Sequence, residues 1–481
     1  MSRRRYTEES KIAAVNFPRR GPWHLLVGRT LLLCFLGSVG LVACGPDDRP
    51  LKERLQERLD ARVRRCDANG ASVSVILPDG SRWQGTSGIS HESVRMRPEM
   101  AFAVGSITKN MVAALVLQLA EEGQLSLEDP IGKWLPTYPH VSSAVTIRQL
   151  LNHTSGLFMF WDNQKIWDDL IRDRTRIFTP EDVLRYLKEP YFAPGEGHRY
   201  SNTNYLLAAM IVTRVTGSTL SAEMRRRFWE PLALESARLA IEEPYPEFMA
   251  HVWGDNFEKG GTVRDITSLP RASHDSITYG SAGVFMTARD LASWTQALFD
   301  GEVITRHSLA EMRSFEEGGG SYGLGLGRFG RRFAGGARSE GHGGGNIGTT
   351  AYMVHLPDHD VSIAVMVNWF GGNCASRIVG DLGKVAAQHV KPVSVVAVLW
   401  SLEGLLSGLW IVAGVGAIVF AVRKDLPLVL VVVGCTAVVA GWFSSTRGFS
   451  LHAVLYPEGA ILAALGLYRI YRRFIRKPQA E

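Results

Sequence analysis

The chain has 481 residues, 46% of them hydrophobic, and a formal charge of +6. That length leaves ample surface to bury in one large domain or in two or three modest ones. The positive charge sits at the ends: residues 1–29 carry seven Arg or Lys against two Glu and residues 468–481 five against one. The mildly acidic stretch between argues against a nucleic-acid groove, and the basic ends read as topology signals.

The N-terminus predicts an export signal, a basic region (Arg3, Arg4, Arg5, Arg19, Arg20, Arg29) followed by the apolar run "LLLCFLGSVGLVA". This run is too short to span a bilayer comfortably. It ends in Leu41-Val42-Ala43-Cys44, which resembles the bacterial lipobox and makes Cys44 a candidate lipidation site. A buried cysteine in an uncleaved anchor and an ordinary cleavage site nearby are the alternatives. Residues 1–44 are therefore assigned to export, and the following domain to the outside of the cytoplasm.

Residues 50–391 form the exported domain. "LKERLQERLDARVRRC" has leucines at helical spacing and leads into "ASVSVIL", a β-rich run stopped by Pro78-Asp79-Gly80. "ITKNMVAALVLQLAEEG" predicts a helix apolar nearly all round, ended at Gly123 and begun at Ser106. Helical patterns fill about 125–260. "YGLGLGRF" reads as a strand, and "IGTTAYMVHL" and "VSIAVMVN" predict two more, joined by a turn that holds the nearby histidines. The expected fold class is α+β, an antiparallel sheet flanked by helices with an inserted, mostly helical block.

Beyond Lys391 the composition changes. Residues 405–422, 426–443 and 449–468 are apolar segments separated by short polar breaks, and predict three transmembrane helices within 400–471 and a basic tail at 472–481. Arg423, Lys424 and the tail place the C-terminus in the cytoplasm. Glu403 and Glu458 are either a functional pair or side chains that snorkel or pack against each other.

Ser106 and Lys109 stand one helical turn apart, so they share a face. A helix start offers free backbone N–H groups to a developing alkoxide, and an apolar setting depresses a lysine's pKa until it can take the serine proton. Alone, the spacing also fits a capping serine beside a solvated lysine. Two further motifs decide the reading: Tyr200-Ser201-Asn202, where an extended segment would project Tyr200 and Asn202 into one cleft, and His342-Gly343-Gly344 before the strand pair. In this order, with "LLNHTSGL", "PGEGHRYSNTNY" and "GSAGVFMTARDLASW", the set resembles the class C-like serine hydrolase branch of the serine β-lactamase and penicillin-binding-protein superfamily over about residues 55–390.

That resemblance implies a β-lactamase/transpeptidase-like fold and an acyl-enzyme on Ser106. Lys109 and Tyr200 would share the proton shuttle, and Asn202 would orient the substrate amide or the Lys109 ammonium. The N–H groups of Ser106 and Gly345 would form an oxyanion hole, with Gly343 to Gly345 letting substrate approach the strand edge. His342 stands where penicillin-recognising members carry lysine. A neutral histidine holds an anion less firmly, which moves the expected activity away from β-lactams and towards an ester, a D-amino-acid amide or a cell-wall peptide. A catalytically idle ligand sensor signalling through the membrane helices is the rival reading. The family's sheet pairs the first strand with the last, which brings Cys66 near Cys374 and implies a disulfide, two free thiols being the alternative. His153 reads as a structural loop residue. Gly319-Gly320-Ser321-Tyr322-Gly323 matches a nucleophile elbow but lacks the strand before and helix after it. No His-Glu-x-x-His or paired Cys-x-x-Cys occurs, so neither metal nor cofactor is expected; the expected partners are an amide or ester substrate and a membrane.

Overall fold

The computed structural model describes residues 49–390, apart from 67, 256–261, 318 and 370–372. The expected export signal with Cys44, the three apolar segments with Glu403 and Glu458, and the basic tail lie outside the described residues. Among the described residues no single helix is long and apolar enough to cross a membrane.

Helix α1 (Leu51–Arg65) buries Leu55, Leu59 and Val63, one residue per turn along a single face. Strands β1 (Gly70–Ile76), β2 (Arg82–His91) and β3 (Val94–Arg95) follow, and β1 is buried at every position. The chain then leaves the sheet for more than two hundred residues. This excursion holds α2 (Thr108–Glu121), α3 (Asn202–Thr216), α4 (Ala288–Asp300) and several shorter helices. It returns as β4 (Gly327–Ala334), β5 (Ala337–Asn346), β6 (Thr349–Leu356) and β7 (Val361–Val367), and closes with α5 (Cys374–His389). The seven strands are antiparallel in the order β3-β2-β1-β7-β6-β5-β4, with Val73 opposite Val365 where first meets last.

Strand alternation gives the sheet two buried faces. Ile363 and Val365 of β7 pack with Leu59 of α1 and Ile378 and Leu382 of α5, while Ala364 and Met366 turn to the core around α2, α3 and α4. Each large aliphatic side chain buried this way contributes roughly 2 kcal/mol. Cys66 and Cys374 are joined as a disulfide, Cα to Cα 5.6 Å, and Arg62 Nε donates to Asp381 Oδ2 at 2.7 Å, so α1 and α5 are clasped antiparallel.

Three local expectations need correction. The run His342 to Gly345 lies inside β5 rather than leading into a strand pair. Only the end of "YGLGLGRF" is strand, because Gly325 turns the chain with φ +67° before β4 begins. His355 belongs to β6, not to the turn after it. It is buried, its Nδ1 pairs with Ser362 Oγ at 3.1 Å, and its ring stacks on Phe299.

Candidate active site

Ser106 sits in a 3-10 turn, Gly105–Ile107, that runs straight into α2. Glycine is required just before it: Gly105 has φ +57°, and a Cβ there would stand 2.4 Å from the Gly345 carbonyl oxygen. Gly344 is equally constrained, since its Cβ would come within 1.9 Å of Val104 O and 2.9 Å of Ser106 N. The two glycines let β5 pass against the backbone of the serine turn. β4 pairs with β5 only as far as Gly341, so among the described residues the edge from His342 to Asn346 has no strand partner, and Gly345 is exposed there beside Ser106. The N–H groups of Ser106 and Gly345 thus come from two elements that converge on one point.

Lys109 follows Ser106 by one turn and is fully buried. Its Nζ lies 3.0 Å from Ser106 Oγ and donates to the Ser281 carbonyl at 2.7 Å. Among the described residues no carboxylate pairs with it, and burial holds its pKa well below the ordinary lysine value. Burial disfavours the ammonium form and so keeps this amine in the form that can take the serine proton. Asn110 anchors the helix behind this pair, giving Nδ2 to Gly325 O at 3.0 Å and accepting Trp294 Nε1 at 2.9 Å.

Tyr200 places its ring 4.9 Å from Lys109 Nζ. Burial raises the phenol's pKa strongly, and a hydrogen bond from Ser106 offsets only part of this, so the resting group is a phenol rather than a phenolate. The backbone is extended at Ser201 but turns helical at Asn202, the first residue of α3, so Asn202 enters from a helix start and not from a two-residue strand repeat. Its N–H meets Met159 Sδ at 3.2 Å, and its Oδ1 is buried with no partner among the described residues, an acceptor left open.

His342 is buried with both ring nitrogens engaged, Nδ1 with the Gly343 carbonyl at 2.6 Å and Nε2 with the Tyr322 hydroxyl at 2.8 Å. Burial first, and Lys109 second, push its pKa down to about 3, so the ring is neutral near pH 7. It stands in the site wall with the Tyr322 hydroxyl on its Nε2 side. Tyr322 is the surprise of the decoy motif. Ser321 lies exposed in a turn, preceded by no strand and followed by no helix, whereas the tyrosine beside it turns inward.

His153, at φ +63°, lies 4.3 Å from the Tyr200 ring and 4.9 Å from that of Tyr322. Its Nδ1 accepts from Ser201 N at 3.3 Å and Asn204 Nδ2 at 2.9 Å, which puts the proton on Nε2. It supports Tyr200 from behind, and Tyr205 completes the wall by donating to Leu151 O at 2.7 Å. At the other end of the open edge, Asn346 Oδ1 accepts from Arg271 at 3.1 Å, and Arg271 in turn pairs with the buried Asp275. Although burial opposes it, Arg271 and His274 hold the Asp275 carboxyl well below the carboxylate range. Sequence reading missed Tyr322, Tyr205, Ser281, Asn346 and Arg271. Ser281 and Tyr205 lie inside stretches already picked out as family-like, "GSAG" and "YSNTNY"; the others carried no local signal. Among the described residues no group of three or more His, Cys, Asp or Glu could hold a metal ion.

Known proteins share this arrangement of chain. The D-aminopeptidase of Brucella anthropi is 28% identical over 326 residues, 66% of this chain and 59% of the relative. The chain spans between 55% and 62% of the length of the first curated relatives it matches. Among solved structures, the D-stereospecific amidohydrolase from Streptomyces sp. is 27% identical with a TM-score of 0.59, covering 68% of this chain and 98% of its own. The D-amino acid amidase from Ochrobactrum anthropi SV3, complexed with D-phenylalanine, is 25% identical with a TM-score of 0.60, covering 70% and 99%. The Beta-lactamase family model matches residues 55–387, which take in every side chain of the site, and this chain belongs to that family.

Proposed function

We propose that this chain is a serine hydrolase that cleaves an amide through an acyl-enzyme on Ser106, acting outside the cytoplasm on D-amino-acid amides or short cell-wall peptides and tethered to the bacterial inner membrane by its terminal segments. One observation carries the chemistry: a fully buried lysine, with no carboxylate partner among the described residues, 3.0 Å from a serine hydroxyl at a helix start. The names of the amidase and aminopeptidase relatives support the D-configured amide. The neutral His342 favours substrates without a carboxylate at that end of the site over β-lactams.

In the proposed cycle, Ser106 Oγ attacks the substrate carbonyl carbon and its proton passes to Lys109 Nζ. The carbonyl oxygen becomes an oxyanion held by the N–H groups of Ser106 and Gly345, each worth roughly 3 kcal/mol when removed. The tetrahedral intermediate collapses as Tyr200 gives its proton to the leaving nitrogen and takes one from Lys109. Water then attacks the ester, losing its proton to the same pair, and Ser106 leaves as the hydroxyl. Asn202 Oδ1, open and buried, is placed to accept a substrate N–H.

The test is a purified-protein panel of matched D- and L-amino-acid p-nitroanilides, a p-nitrophenyl ester and nitrocefin, with intact-mass detection of the adduct. A D-selective amidase signal and an adduct lost in Ser106→Ala are expected. An adduct retained in Ser106→Ala overturns the nucleophile, and nitrocefin turned over faster than any amide overturns the substrate class. For topology, a reporter fused after Glu481 is expected to read cytoplasm and one replacing the chain after Lys391 to read outside. Identical readings overturn the three-span tether.

A further inference from the structure

Both ends of the described domain leave from one pole. α1 and α5 lie antiparallel, because Cys66 at the end of one joins Cys374 at the start of the other and Arg62 pairs with Asp381 a turn or two further along. Leu51 therefore falls level with the end of α5. His359 of the β6–β7 turn pairs with the Val390 carbonyl at 3.2 Å, and Asp358 of that turn pairs with Arg338 at the start of β5 at 3.2 Å. The chain entry, the chain exit and two strand turns thus share one end. In the sequence, Cys44 stands seven residues before Leu51, and the first long apolar run begins fifteen residues after Val390.

The free edge of β4 forms a cavity of about 720 Å³ that runs from Arg338 and Asp358 at this end, past Phe329 and Arg331, to Ser321 and Arg328 at the start of the strand, with Asp358 as the one carboxylate among its described lining residues. The acids near these guanidiniums are weak competitors. Arg328 meets Glu316 at 3.4 Å and Arg338 meets Asp358 at 3.2 Å in pairs that are largely open to solvent. Among the described residues no carboxylate lies within 4 Å of Arg331, and Lys384 of α5 stands exposed where its Cβ backs onto Gly335 of the β4–β5 turn. Planar guanidiniums that are weakly paired and gathered at the rim of a cavity suit phosphate oxygens.

We propose that this pole is the membrane-facing surface of the domain and that the Arg328–Arg331–Arg338 cavity takes the phosphate of an anionic phospholipid headgroup. The proposal rests on the reading of the terminal segments as membrane tethers and is independent of the chemistry at Ser106. Two tethers at one pole turn that pole towards the bilayer, and basic groups near an anionic surface each gain about a fivefold preference. The orientation also sets the reach of the enzyme. Gly345 lies seven strand residues beyond Arg338 along β5, about 23 Å, so Ser106 opens away from the bilayer towards substrates in the wall space rather than lipids.

The full-length chain, reconstituted into vesicles of phosphatidylcholine with or without phosphatidylglycerol, tests this. A fluorescent amino acid replaces Gly330, where an added side chain meets nothing within 4 Å, or, in a second protein, the exposed Glu196 near the catalytic end. A headgroup-linked quencher is expected to quench the label at 330 and not at 196, at least about fivefold more with phosphatidylglycerol. This preference is expected to vanish in Arg328→Gln/Arg331→Gln/Arg338→Gln and to be screened by salt. Equal quenching in neutral and anionic vesicles, or quenching at 196 and not at 330, overturns the proposal while the tether stands. Failure of the protein to float with vesicles overturns the tether reading and the proposal with it. Inorganic phosphate that abolishes the quenching without detaching the protein, where sodium chloride at the same ionic strength does not, overturns the lipid as occupant.

Discussion

At the scale of single residues, the site depends on keeping one amine uncharged. Lys109→Met retains volume and apolar character, so we expect the fold to survive while acylation by a fluorophosphonate probe falls by about 10³-fold, within the range for loss of a general base. An unchanged labelling rate would remove Lys109 from the chemistry. The same burial fixes the pH profile. The active amine is the unprotonated one, so kcat/KM for an uncharged substrate should rise as pH climbs through the lowered Lys109 pKa and then stay level. Tyr200, pushed upward, adds no fall until strongly alkaline pH. His342 is already neutral, so the acid limb should keep its position in His342→Gln; a limb that moves with that substitution would assign it to the histidine. Tyr322→Phe leaves His342 Nε2 without its partner inside the protein. A loss of about 1–3 kcal/mol in urea unfolding is expected, as for other buried orphans.

At the scale of elements, catalytic geometry depends on how closely β5 approaches the start of α2. Gly344→Ala would drive a methyl group into Val104 O, so the strand has to withdraw and take the Gly345 N–H with it. Serine-probe labelling should drop by about 10²-fold, the scale of a lost oxyanion donor, whereas Gly330→Ala on β4, with open space around it, should label normally. This contact also explains what the sequence disclosed and what it hid. Ser106 and Lys109 were legible because a helix sets their spacing, and the alternation of "VSIAVMVN" announced a buried strand. The run His342-Gly343-Gly344 gives no such period, because glycines carry no pattern; its strand exists through pairing with β6, from Met353 to Ala351. Asn202 reads as part of an extended segment in the sequence because the residue that caps the helix, Ser201, is still extended and nothing local marks the turn into helix one residue later. Tyr322, Asn346 and Arg271 are brought to the site by tertiary folding alone. The α1–α5 clasp is testable at this scale too. Cys66 and Cys374 lie 308 residues apart, and the chain-entropy account gives up to roughly 5 kcal/mol for so long a loop. Cys66→Ser/Cys374→Ser should lower the urea midpoint accordingly, and an unchanged midpoint would show that Arg62–Asp381 and the apolar contacts suffice.

At the scale of the whole molecule, burying neutral imidazoles makes the fold acid-sensitive in a definite window. His342 and His355 are both pushed down to about 3 by burial, while an unfolded chain would protonate them near the ordinary value of 6.5. Between those values the unfolded state binds more protons than the folded one, so stability is complete above about pH 6.5 and declines as pH falls towards 3. At about pH 4.5 each histidine has given up roughly two pKa units of preference, on the order of 5 kcal/mol for the pair, a large part of a domain's usual 5–15 kcal/mol. His153, also held well below its ordinary value, adds in the same direction. The buried Asp275 acts lower down: its depressed pKa stabilises the fold above the normal carboxylate value, and that contribution fades only as pH falls below about 4. Urea midpoints measured from neutral pH down to about 4.5 should therefore fall steeply in the histidine range, before the carboxylates titrate. His355→Phe/Ser362→Ala replaces one histidine and its hydroxyl partner together, leaves the stacking position on Phe299 filled, and lies away from Ser106. We expect that variant to lose about a third of the slope between pH 6.5 and 4.5, its share among the three buried histidines, while keeping its stability at neutral pH to within about 1–2 kcal/mol. A slope identical to that of the parent chain would mean that His355 takes up its proton in the folded state, and would place the acid sensitivity on the histidines of the active-site wall.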